Sequence, residues 1–119
     1  KINSGFNEDY AKIMDKFKFD KKTDSLFSAI LSLKTVKETE SFFRDLCTID
    51  EIKEMSERWQ IAKMLNKKVS YRDIAEKLKV STTTVSRVAL WLNNGEGGYR
   101  LVLDRFHHHN SIPIRKELR

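Results

Sequence analysis

The chain has 119 residues, 39% hydrophobic and 34% charged, which suits one domain with a short extension. No run of about 18 apolar residues is present to span a membrane and no basic-then-apolar leader is visible, while a lone Cys47 excludes an internal disulfide and fits a reducing cytoplasm. The net charge of +6 is uneven: residues 1–50 hold nine basic and nine acidic side chains, residues 51–119 fourteen and eight, so the whole excess lies in the second part and points to a polyanionic partner.

In chain order, Tyr10, Ile13, Met14 and Phe17 share one face of a helix from Glu8 to about Phe19, which reads as an N-terminal arm. "KFDKKTD" then reads as a polar connection. Asp24 or Ser25 caps the next helix, whose Leu26, Phe27, Ile30, Leu31 and Leu33 form a wide apolar surface. Thr35 and Glu38 have the spacing of a capping box, predicting a helix to Leu46 that buries Val36, Phe42, Phe43 and Leu46. Thr48 and Glu51 repeat the arrangement and open a longer helix with a stripe of Ile52, Met55, Trp59, Ala62 and Met64 or Leu65.

"SYRDIAEKL" predicts a short helix from Ser70 to about Leu78, facing inward through Tyr71, Ile74, Ala75 and Leu78. "STTTVSRVALWLNN" predicts another, capped by Ser81 and buried through Val85, Val88 and Leu92. "GEGG" at 95–98 stops it, and "YRLVLDRFHHH" is a last amphipathic helix before a tail with Pro113, Arg115, Lys116 and Arg119. With no convincing β alternation, the fold class is all-α. The organisation is a helical arm over 1–23, a domain over 24–107 and a basic tail over 108–119.

Two short amphipathic helices joined by a few residues make a helix-turn-helix, whose second helix can enter the major groove. Ile74, Ala75, Val80, Val85 and Val88 have the spacing of its shared core, although an ordinary helical hairpin has similar intervals. Lys79 stands where many such units carry Gly for a turn of positive φ. Turning Val85 and Val88 inward leaves Thr82, Thr83, Ser86 and partly Thr84 accessible to bases and phosphates. Lys68, Arg72, Lys79 and Arg87 surround that face with positive charge, and Arg72 can alternatively reach guanine. Double-stranded DNA is therefore the expected partner. The alternative is a helical protein-interaction module whose basic face binds an acidic partner.

The blocks "LFSAILSLKTVKETESFFRDLCTIDEIKEMSERWQIAKML" and "YRDIAEKLKVSTTTVSRVALWLNNGEGGYRLVLDR" resemble the Trp repressor superfamily, most closely its YerC/YecD-like group. The resemblance implies an intertwined homodimer whose paired recognition helices read two DNA half-sites, and it implies a repressor. It also matches Thr48, Arg58 and Arg87 to polar residues of the corepressor pocket, where arginines can hold a carboxylate. Val88, however, stands in place of a glycine and Trp91 in place of a small serine, which fills the space a free tryptophan needs. Tryptophan is thus not the expected corepressor; another small ligand is left open.

His107, His108 and His109 point in different directions on a helix and have no suitably spaced partners, so no metal site is expected. No nucleophile is paired with a base and no glycine-rich phosphate loop occurs, so no catalytic residue is assigned and no enzyme is expected.

Overall fold

A computed structural model describes the backbone of residues 17–110 and the side chains of 17–107. Among the described residues there are six α-helices and no strand: α1 (Lys21–Leu31), α2 (Val36–Leu46), α3 (Ile49–Asn66), α4 (Tyr71–Leu78), α5 (Thr82–Asn94) and α6 (Gly98–Asn110). The N-terminal arm up to residue 16 and the tail from residue 111 lie outside them, and residues 17–20, read as the arm's end, are not helical. No helix among the described residues is long and apolar enough to cross a membrane. Packing divides the chain into one unit ending at Ser56 and another beginning at Glu57.

In the first unit, α1 starts earlier than expected. Its cap is Asp20 rather than Asp24 or Ser25. The Thr23 N–H donates to Asp20 Oδ1 at 3.0 Å, and the Asp20 N–H donates back to Thr23 Oγ1 at 2.8 Å. This reciprocal box turns "KFDKKTD" from a connection into a cap and first helical turn. The Thr23 N–H is also the main reason the Asp20 carboxyl is held below its ordinary pKa. Asp24 then falls in the first turn, where the helix dipole favours a carboxylate.

The predicted cap of α2 is present, the Glu38 N–H donating to Thr35 Oγ1 at 3.0 Å. Glu38 reaches one residue further back than a strict box requires, accepting from the Lys34 N–H at 2.8 Å. Neither α1 nor α2 contains a buried residue. The expected burial of Val36 and Leu46 does not occur, since Val36 is 76% exposed and Leu46 half-exposed. Phe42 and Phe43 are only partly covered, meeting edge-to-face with centroids 5.9 Å apart. Leu31 is 84% exposed. Two helices of 11 residues each have too little surface to cover faces this wide.

The second unit holds the core. Ile61 and Ala62 of α3 meet Ile74 and Ala75 of α4 and Val85 and Val88 of α5, and Ala89, Leu92 and Leu103 are buried as well. Of the predicted stripe of α3, Ala62 is buried, Trp59, Met64 and Leu65 are partly covered, and Met55 of the first unit is exposed. Ile61, which the pattern passed over, is fully buried. Tyr71 is not inward; at 44% exposed it lies at the edge of α4. The capping box of α3 is complete, Thr48 N–H donating to Glu51 Oε1 at 2.9 Å and Glu51 N–H to Thr48 Oγ1 at 3.1 Å.

The turns on either side of α4 use the same device. The Val69 N–H donates to the Met64 carbonyl at 3.1 Å and the Val80 N–H to the Ala75 carbonyl at 3.0 Å, each closing over a lysine with positive φ, 67° at Lys68 and 59° at Lys79. After α5, a Cβ on Gly95 would meet the Trp91 carbonyl oxygen at 2.5 Å and Trp91 Cε3 at 2.9 Å, so only glycine lets the indole lie against this stop.

Ile74, at the centre of the core and fully buried, sets the first prediction. Ile74→Ala is expected to lower the unfolding free energy by about 2–5 kcal/mol, measured by urea denaturation at one fixed protein concentration.

Candidate nucleic-acid interface

The first turns of α5 follow from its cap. The Thr84 N–H donates to Ser81 Oγ at 3.0 Å, and the two hydroxyls lie 3.0 Å apart. With Val85 and Val88 turned into the core, Thr82, Thr83, Ser86 and Arg87 are exposed. Thr84 is half-buried with its hydroxyl engaged by Ser81, which makes it a capping partner as well as a surface residue. Lys68, Arg72 and Lys79 are exposed too, so all eight residues singled out for DNA lie in the second unit and none is buried.

The first turn of α5 differs from those of the four helices before it, and shares with α6 the absence of an acidic residue. Helices α1 to α4 each carry an acidic residue in the first turn, which offsets the positive end of the helix dipole. The first turn of α5 has none, and the whole helix contains one cation, Arg87, and no carboxylate. Its amino end is therefore an uncompensated positive pole ringed by hydroxyls, with Lys79 just before the cap. Such an end attracts phosphate oxygen.

Lys79 confirms the positive φ read from the turn pattern. Lys68 has the same strained conformation, a feature that "NKKVS" does not announce. A left-handed backbone costs an L residue roughly 1–2 kcal/mol, which Gly or Asn would reduce. Both positions nevertheless keep a long cation.

The residues matched to a corepressor pocket are placed as follows. Thr48 belongs to the first unit, and its hydroxyl accepts the capping bond from Glu51. Arg58 and Arg87 belong to the second and are exposed. Val88 is packed in the core, while Trp91, 43% exposed, helps wall an open cleft of about 480 Å³ together with Trp59, Tyr99 and Val102. Trp59 also meets Phe106 edge-to-face at 5.7 Å. Burial pushes the Tyr99 phenol above its ordinary pKa, and the opposing pull of the Arg58 charge is the smaller effect.

Residues 21–107 match the family model of the Trp repressor protein. The chain belongs to the Trp repressor family. The match spans α1 to α6 up to His107 and starts at Lys21, the first residue of α1, in agreement with the Asp20 cap. Among Trp repressor-like relatives, the uncharacterised protein YerC of Bacillus subtilis (strain 168) is 45% identical over 85 residues, covering 71% of this chain and 82% of YerC. The crystal structure of a TrpR-like protein from Eubacterium eligens ATCC 27750 is 48% identical with a TM-score of 0.71, covering 74% of this chain and 91% of the other. A second crystal structure, from Staphylococcus aureus, is 40% identical with a TM-score of 0.71 over 75% of this chain and 89% of its own.

The strain at Lys79 gives a direct test. Relief of the left-handed cost outweighs the greater freedom glycine has in the unfolded chain, so Lys79→Gly is expected to stabilise the protein by about 0.5–1 kcal/mol. Urea denaturation reads the shift, and an unchanged or lower midpoint would remove the assigned strain.

Proposed function

We propose that this chain is a cytoplasmic, homodimeric transcriptional repressor that reads the major groove of double-stranded DNA with the α4–α5 helix-turn-helix, and that it has no catalytic role. The observation that carries the reading is the roll of α5. Its Val85 and Val88 are buried while Thr82, Thr83, Ser86 and Arg87 stand exposed at an acid-free helix start. Arg72, on the exposed side of α4, is suited to guanine or phosphate; Lys68, Lys79 and Arg87 to phosphate. Membership of the Trp repressor family supports both DNA binding and the dimer. The uncovered apolar faces of α1 and α2 favour a second copy as their cover.

If Lys68, Arg72, Lys79 and Arg87 of both copies meet phosphates, the slope of log affinity against log salt is about −7. Thr83→Ala or Ser86→Ala is expected to flatten base preference, whereas Lys68→Ala weakens all sequences alike and reduces the slope. Selection from a random DNA pool followed by titration at several salt concentrations measures both. Enrichment of a palindrome supports the dimer, and affinity insensitive to salt overturns the mechanism.

Free tryptophan is not the corepressor in this reading, because Val88 fills the core side of α5 and the Trp91 indole already occupies the neighbouring surface. Isothermal titration with tryptophan is expected to give no saturable heat, and micromolar binding would reverse the conclusion.

A further inference from the structure

We infer that the second unit carries a phosphate-binding cleft centred on Arg100, separate from the threonine-lined start of α5. A cleft of about 360 Å³ opens where the α3–α4 turn, the end of α5 and the start of α6 come together. Arg100 of α6 donates through Nη2 to Asn93 Oδ1 at 2.9 Å and through Nη1 to Asn66 Oδ1 at 3.4 Å. Asn66 is the last residue of α3, and Asn93 lies near the end of α5.

The chemistry of the lining selects the ligand. Both partners of the guanidinium are neutral amides, so they orient it without cancelling its charge, and three of its five N–H groups remain for another acceptor. Lys68 and the Tyr71 phenol line the same cleft, and no acidic residue does. The floor includes the buried Leu92 and Ala89, which lower the local polarity and strengthen the pull on an anion. Two cations, a phenol and amide groups with no carboxylate suit a phosphate, which can take the Arg fork and the Lys ammonium together. Because Arg100 is already held by two amides, little of its freedom is lost on binding.

The phosphate has two sources, the DNA backbone or a free phosphorylated small molecule, and both are read in the full-length protein. Inorganic pyrophosphate is titrated calorimetrically into the wild type, Arg100→Gln, Lys68→Gln and Arg100→Lys, with circular dichroism confirming that each is folded. Saturable binding weakened at least about tenfold by Arg100→Gln and Lys68→Gln, and partly kept by Arg100→Lys, assigns a free phosphate. If pyrophosphate does not bind but Arg100→Gln lowers the salt slope of DNA binding by about one per copy, the phosphate belongs to DNA. Should Arg100→Gln not fold, Lys68→Gln gives the pyrophosphate readout; its effect on the DNA salt slope is already expected from the α4–α5 surface and does not bear on this cleft. Folded Arg100 variants that change neither readout, or a folded Lys68→Gln that leaves pyrophosphate binding unchanged, overturn the site. The pyrophosphate titration requires no DNA, so a failure of DNA reading is distinguished from a failure of this cleft.

Discussion

Which side chains of the α4–α5 pair face outward depends on how α5 is rolled about its own axis. Val85 and Val88 lie three residues apart on one face, and both are buried against Ile61, Ala62, Ile74 and Ala75. A helix advances 100° per residue, so once these two point inward the directions of Thr82, Thr83, Ser86 and Arg87 are no longer free. Ala75 contributes by being small enough for α4 to pack closely on α5. Rotating α5 by a single residue would bury hydroxyls and a guanidinium and expose valine. The penalty for unpaired buried polar groups is what keeps the hydroxyl-bearing face outward.

Local devices then place the ends of the short helices. Ser70 and Ser81 start α4 and α5, and the closed turns at Lys68 and Lys79 stop α3 and α4. At only 8 residues, α4 has few internal hydrogen bonds of its own, so its caps and its buried face carry it. The lysines in these turns sit in a backbone conformation that favours glycine, and both are exposed. Strain at two positions bearing the same charge fits a surface shaped for an anion at the expense of some stability.

Much of this was legible in the sequence because caps and turns are local. The oxygen of Thr35, Thr48, Ser70 or Ser81 needs only its own N–H partner three residues on, and a short string of residues specifies it. The Asp20 cap is not legible in the sequence because Thr23 takes the place usually held by Glu or Gln, and the lysines between them resemble a linker. The burial of Ile61 is hidden for a different reason: apolar residues are spread around α3, and only the arrival of α4 and α5 selects which of them is covered. Val36 and Leu46 have the period of a covered face, but periodicity does not say what covers it. The Arg100 cleft was beyond reach, since it joins Arg100 to Asn66 across 34 residues.

The acid-free start of α5 also bears on stability. The other capped helices of the unit and of its neighbour carry a carboxylate near the amino end as part of the covalent chain, whereas α5 leaves that place to something outside it. An anion arriving there fills the electrostatic role that Asp73 fills in α4, so it completes the helix as well as contacting it. By thermodynamic linkage, the free energy gained by the bound anion is then also free energy of folding. Under the proposed DNA-reading role, the start of α5 would be less firmly held in the free protein than in the complex.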